Sequence, residues 1–467
     1  MHSASRRLKP KMGFTLTEKI IGNHAIGNKA GKHPVHAGDC VWARANGLMM
    51  HDVTSTGEIA ILKKFFGGRI AKGLKVVVTP DHYVPAKDIA SAKLYQELRE
   101  FVDEQTAKGA DISAYMLEGG NYGVCHVMVP EMGHILPGQL WFGADSHTCQ
   151  YGFLGAFSTG IGSTEGGNVL ATGDLWLRVP ESIRIEVDGN MPRNVMAKDL
   201  FLRVVGDIGV DGANYQAMEW GGGTIRRMSN DERATLTNQA IETGGKSGII
   251  EPDETTRQFL KERLEEVDEG FVDYALESDN LELLRGKFCS SNWRERGLFS
   301  DPDAQYARRI PIDASGLEPL VAKPHLPSNV APARDLQNVK INQAYIAGCT
   351  GGKWEDIAAA AEVLKGQKIA KGVRLMVVPA TTYIQDRMVR EGVYDTLRSA
   401  GAIVTMPTCG ACLGGHMGIL APGETCISDT NRNFVGRMGS PQAFVYLASP
   451  KTVAASALAG NIVGAEK

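Results

Sequence analysis

Several features that would settle a function class are missing from the chain. No apolar run approaches the roughly 18 residues of a membrane span. The N-terminal MHSASRRLKPK has no apolar signal core, so residues 1–12 read as a mobile tail, with a short basic, Ser-containing organelle address as the alternative. Charge of one sign is also lacking: 467 residues carry a formal net charge of −3, so there is no basic field for nucleic acid, and an acidic substrate needs locally placed arginines. Cysteine is sparse. The eight thiols show no spacing like that of small secreted domains, which implies a reducing compartment, the cytoplasm by default, and thiols kept free for metal. Neither G-x-x-x-x-G-K-S/T nor G-x-G-x-x-G occurs in the glycine-rich 152–173 stretch, which therefore reads as close-packed turns and helix rather than a phosphate loop.

What is present begins with glycine, 54 residues, suited to tight turns where backbone approaches a ligand. Residues 13–25 predict a helix with a capping box from Thr15 to Glu18. Strand-to-helix alternation follows and predicts an α/β fold in three units: 13–181, 182–318 and 338–467. The four prolines of 319–337 cannot continue a helix or a central strand, and that segment reads as an interdomain linker. The charge-rich 251–308 stretch shows no chemistry, and Cys289 within it reads as structural or idle.

In the first unit, strand ends deliver polar residues. His51 and Asp52 lead into Thr54 and Ser55, which read as helix caps or ligand contacts. The 74–80 strand ends at Asp81 and His82, a pair suited either to general acid work or to capping. His126 sits in an apolar segment, where a hydrogen-bonded core role competes with a catalytic one, and another strand closes on Asp145-Ser146-His147. In the second unit a helix over 231–244 places Asn238 and Glu242 at i, i+4, pointing the same way, with a solvated face as the alternative.

The last unit concentrates the cysteines. Residues 341–348 predict a strand and 354–366 a helix, which puts Cys349 in the turn between them. The 402–407 strand runs into Cys409-Gly410-Ala411-Cys412. Ligands bind at such turns in open α/β sheets. A C-x-x-C alone fits a redox dithiol or half a zinc site, but no fourth ligand at zinc spacing is evident. Three thiols from two turns suit an iron–sulfur cubane with one iron left without a protein thiolate. Arg432 and Arg437, flanking a turn that includes Asn431, offer two planar forks for carboxylates.

GADSHT, GAFSTGIGST, TNQAIETG, Cys-Thr-Gly-Gly with CGAC 60 residues later, TNRNFVGR and VYLASPKTVAASALAG together resemble the 3-isopropylmalate dehydratase large-subunit family of the aconitase superfamily, from about Gly13 onward. The resemblance implies three α/β domains of aconitase type around a cluster cleft, without the swivelling fourth domain. It implies a 4Fe–4S cluster on Cys349, Cys409 and Cys412, and acid–base residues at Asp81, His82, His126, Asp145, His147 and Glu242. Substrate contacts would fall at His51, Ser146, Asn238, Asn431, Arg432 and Arg437. His126 would pair with Asp145, and His147 with Glu242.

The implied reaction is dehydration and rehydration of a hydroxy diacid, 2- to 3-isopropylmalate, as in leucine biosynthesis. Homoaconitate, dimethylmalate or citrate are alternatives, and a cluster-free RNA-binding form is disfavoured by the charge. The carbon base of the family is a serine on a separate domain, so a small subunit is the expected partner, with no nucleic acid or membrane. One departure stands out: Gly351 occupies a position where the family commonly has Asn.

Overall fold

The computed structural model describes residues 13–27, 35–266 and 298–465. Cys289 and the larger part of the charge-rich stretch lie outside them, as does the N-terminal tail. The capping box forms as expected: Thr15 accepts from the Glu18 amide, and Glu18 returns to the Thr15 amide across 2.8 Å.

Three sheets carry the architecture. A five-stranded parallel sheet has the order Ile112–Ala114, Lys75–Val78, Gly47–Met50, Leu140–Gly143, Phe157–Gly160. The central strands are runs such as KVVV and LWFG, almost wholly buried, because helices cover both faces of a parallel sheet. A four-stranded parallel sheet runs Ser247–Ile250, Ala217–Gly221, Ser182–Asp188, Arg308–Asp313. The third sheet has seven strands. Its order is Val330–Pro332, Leu320–Ala322, Phe444–Ala448, Thr425–Ser428, Gln343–Ile346, Arg374–Val377, Ile403–Val404.

Chain order against spatial order locates the crevices. The five-stranded sheet starts at Gly47–Met50 and steps outward to 75–78 and 112–114, then jumps back to 140–143 on the other side. The seven-stranded sheet starts its parallel part at Gln343–Ile346, steps to 374–377 and 403–404, then returns to 425–428 on the other side. Each reversal opens a gap beyond the strands' carboxyl ends, the position where α/β sheets take ligands. His51 and Asp145 flank the first gap; Cys349 and Asn431 flank the second. The two gaps face one another across a backbone clip, in which Cys409 N–H (2.7 Å) and the Thr408 hydroxyl (2.9 Å) both donate to the Asp81 carbonyl.

Some local expectations are corrected. The 319–337 segment is no simple linker: Leu320–Ala322 pairs antiparallel with Val330–Pro332 and Phe444–Ala448, inside the sheet. Its strand residues Leu320, Val321 and Ala322 are apolar and free of proline, and Pro332, opposite Leu320, closes the edge strand, where a missing N–H is tolerated. The 152–173 stretch holds a strand, Phe157–Gly160, besides its turns and helix. The apolar segment that carries His126 is the helix Cys125–Glu131. The expected 231–244 helix ends at Asn238 and tightens into a 3-10 turn, Gln239–Thr243, so Asn238 and Glu242 do not share one helical face.

Candidate active site

Where the two crevices meet there is a cavity of about 280 Å³. Every residue that the family resemblance points to lines it except Asn238 and Glu242, which bond to the lining residues Cys349 and His147. A larger cavity of about 480 Å³ elsewhere, with Phe259, Trp354 and Arg387 in its walls, holds no cysteine or histidine, so volume alone does not mark the chemistry.

One wall is built from imidazoles and carboxylates. Asp81 Oδ1 meets His82 Nδ1 at 2.5 Å, and Asp81 Oδ2 accepts from the Cys125 amide at 2.8 Å. Asp145 is the hub: its Oδ1 pairs with His126 Nε2 at 2.7 Å and accepts the His147 amide at 2.8 Å, while its Oδ2 lies 3.6 Å from His82 Nε2. His147 Nε2 meets Glu242 Oε1 at 2.8 Å, and Arg432 Nε donates to both Glu242 oxygens at 2.8 and 3.0 Å. The His51 and His82 rings stack with centroids 4.1 Å apart. Ser146 lines the cavity beside His147.

The opposite wall carries the thiols. Gly348, at φ 76°, makes the turn that presents Cys349, a left-handed conformation that glycine adopts without steric cost. Gly410, at φ 61°, leaves room for the Tyr345 hydroxyl, which accepts the Ala411 amide at 2.8 Å and so braces the Cys409–Cys412 turn. The Asn238 amide donates to Cys349 Sγ at 3.1 Å and also to Gln150 at 2.7 Å, and the Asn431 amide bonds Asn238. Among the described residues the cavity wall offers three thiols and no fourth.

A model of the aconitase family (aconitate hydratase) matches residues 18–337 and 330–460. The chain belongs to the aconitase family. Its curated relatives include the 3-isopropylmalate dehydratase large subunit 1 of Methanopyrus kandleri, 43% identical over 97% of this chain and 98% of that protein. The large subunit of Heliobacterium modesticaldum is 44% identical over 97% and 99%, and that of Aquifex aeolicus 44% over 97% and 96%. Aconitase X of Thermococcus kodakaraensis overlaps more loosely, at 9% identity and TM-score 0.46 over 84% of each chain. The chain is thus a hydro-lyase of the aconitase family. No helix among the described residues is long and apolar enough to cross a membrane.

Electrostatics in this aconitase-family site follow from the pairings. Burial works against a charge on His82, but Asp81 and then Asp145 overcome it and hold the ring well above its ordinary value. Burial likewise opposes ionisation of Asp145, yet His126, His147 and His82 keep it well below the usual carboxylate range. His51 goes the other way, lowered by burial and by its charged neighbour His82. Burial, then Cys412, pushes the Cys349 thiol up to about 12. The hydrogen bond from Cys409 brings Cys412 well down against burial, and Arg437 assists. Ionising all three thiols in this buried place requires a cation among them, and an iron–sulfur cluster fits that donor set.

Two guanidiniums remain only partly satisfied. Arg432 spends its Nε on Glu242 and leaves its terminal nitrogens without a protein partner among the described residues. Arg437 Nε is buried with no hydrogen-bond partner among the described residues. An unpaired buried donor costs about 1–3 kcal/mol, a penalty that an anion seated in the cavity would relieve.

Other contributors gave weak sequence signals or none. Asp52 accepts the backbone amides of Asp81, His82 and Tyr83 at 2.7–2.9 Å and so shapes the loop that presents the acid pair. Its signal was its place at a strand end. Thr54 occupies the helix N-cap position without capping; its hydroxyl lies 3.1 Å from His51 Nε2 instead. Ser55 donates to the His51 carbonyl. Lys198, wholly buried, donates to Gln239 (2.8 Å) and the Thr430 carbonyl (2.9 Å), behind the Asn238–Asn431 pair. No local pattern marks that lysine.

Proposed function

We propose that this chain is the cluster-bearing large subunit of a hydro-lyase that interconverts 2- and 3-isopropylmalate by dehydration and rehydration. The observation that carries the reading is the convergence of three thiols, an Asp–His acid pair and two unsatisfied arginines on one cavity. Relatives named as 3-isopropylmalate dehydratase large subunits support it. Cys349, Cys409 and Cys412 would hold a 4Fe–4S cluster, which when bound supplies an open iron as Lewis acid toward the substrate hydroxyl and a neighbouring carboxylate.

The chain's own groups do the rest. His82, kept protonated by Asp81 and Asp145, delivers a proton to the departing hydroxyl, which leaves as water. Arg437 and the free nitrogens of Arg432 clamp the other carboxylate of the diacid. Asn238 and Asn431 fix the Cys349 sulfur, while His126–Asp145 and His147–Glu242 are imidazoles oriented by carboxylates. Val53, Val124 and Leu413 supply apolar wall in the same cavity, which suits a branched alkyl group better than a third carboxylate.

Removing the carbon-bound proton needs a base, and each candidate in the cavity already has a role. A small subunit closing over the cleft would provide it, and relatives named "large subunit" support such a partner. The test is a panel of alkylmalates, citrate and homocitrate, followed by ultraviolet absorbance of the alkene, with and without the small subunit. We expect turnover of isopropylmalate by the pair and negligible turnover by the chain alone. Preference for citrate would overturn the substrate reading, and robust turnover by the isolated chain would overturn the partner reading.

A further inference from the structure

Below the Cys349 turn the structure holds an arrangement that the reaction does not use. Gly351 ends the short Gly348–Gly351 helical turn, and a Cβ built there would overlap the Asp429 carboxyl group outright. Asp429 is wholly buried at the end of the Thr425–Ser428 strand, across the crevice from the turn. Its Oδ1 accepts the Ala347 amide at 2.9 Å, its backbone carbonyl accepts the Thr350 hydroxyl at 2.9 Å, and its own amide donates to the Tyr345 carbonyl at 3.2 Å. Asp429 therefore touches the turn on both sides of Cys349. A carboxylate with these attachments cannot retreat from a side chain at 351 without releasing the Ala347 amide. A buried amide left unsatisfied carries its own penalty.

We propose that Gly351 and Asp429 form one interlocked unit, in which the Asp429 carboxyl fills the space that a side chain at residue 351 would need and serves as the positioning residue for Cys349. The unit rests on the reading of Cys349 as a cluster ligand. The group that packs beneath the turn thus comes from the neighbouring strand rather than from the turn itself. Neither Gly351 nor Asp429 lines the cavity, so the unit acts on the placement of one sulfur and on how firmly the turn holds its ligand.

The experiment is a double-mutant cycle on the reconstituted holoprotein, read by chelator-driven loss of visible absorption, by the electron paramagnetic resonance spectrum of the reduced cluster, and by thermal unfolding. Gly351→Asn with Asp429 intact overpacks the turn, and cluster loss should be at least about fivefold faster. Asp429→Asn keeps both shape and acceptor and should match the parent spectrum. Asp429→Ala should shift the spectrum, since the turn loses its brace. Gly351→Asn with Asp429→Ala should recover most of the retention lost in Gly351→Asn, because the new amide enters the space the carboxylate leaves.

A Gly351→Asn protein with the parent's spectrum and chelation rate would overturn the proposal. So would a double variant no better than Gly351→Asn in retention and unfolding midpoint. If Gly351→Asn does not fold, recovery of soluble protein in the double variant supports the unit, and its failure alongside a folded Asp429→Ala refutes it. Failure of the cluster reading is seen separately: the parent would then carry no iron, while the unfolding midpoints would still report the coupling.

Discussion

Replacing Arg437 by lysine separates a binding role from a structural one. The guanidinium lies against the cavity with a buried Nε that finds no hydrogen-bond partner among the described residues. A lysine keeps the charge and loses the planar fork. A charge-assisted hydrogen bond is worth about 1.5–3 kcal/mol, so substrate binding should weaken by roughly 10- to 150-fold, read as a rise in KM. Stability should move in the opposite direction. Since an unsatisfied buried donor costs about 1–3 kcal/mol, removing it leaves the unfolding midpoint of the cluster-free chain unchanged or raises it. A structural arginine would lower that midpoint when replaced. The assay pairs substrate-dependent alkene formation, in the presence of the small subunit, with thermal unfolding of the apoprotein and an iron determination. Iron content must stay at the parent level, because Arg437 also favours the Cys412 thiolate. An unchanged KM, or a lowered midpoint with unchanged KM, would remove Arg437 from the substrate site.

Further outcomes can be checked independently. Cys409→Ser should lose bound iron and sulfide, whereas Cys40→Ser and Cys426→Ala should keep both; full cluster content in the Cys409 variant would refute the ligand assignment. His82 is held above its ordinary value, so the acid form persists through neutrality and activity falls on the alkaline side; Asp145→Asn should move that limb to lower pH, and an unmoved limb would exclude His82 as the acid. The same shift contributes stability that is complete below the unfolded value near 6.5 and disappears as pH rises through the raised folded value. Glu58 buries both carboxyl oxygens without a partner among the described residues, and burial pushes it up to about 8. An unfolded Glu ionises first, so the parent loses stability as pH climbs from about 5 to 8; Glu58→Gln should widen its lead in unfolding midpoint over that window and hold it above, and a pH-independent difference would count against the shift.

Much of the site could be read from residue types because each key group sits where a strand ends. Cys349, Asp81 and Asp145 all follow short apolar runs, and hydrophobic patterning locates those without any tertiary knowledge. The pairing of His126 with Asp145 spans only a helix and a strand, yet the helix itself was not evident, since seven residues with an internal proline carry little periodic signal. Asn238 and Glu242 were placed by i, i+4 spacing on one helix, but a 3-10 turn intervenes, and they reach different partners: Cys349 and His147. Lys198 and Asp429 left no trace in the sequence, and Asp52 only its place at a strand end, because the groups they bond lie far along the chain. Prolines misled at 319–337, where a three-residue strand fits between them.

The carbonyl of Asp81 ties the two halves of the site into a single moving part. It accepts from both Thr408 and Cys409, while the side chain of the same residue holds His82. If the Cys409 loop draws away, the pull is transmitted through one peptide unit to the proton donor on the far wall. On the proposed reading of the site, a disturbance at the thiols would reach His82 through that one residue, so the two walls would be lost and regained together.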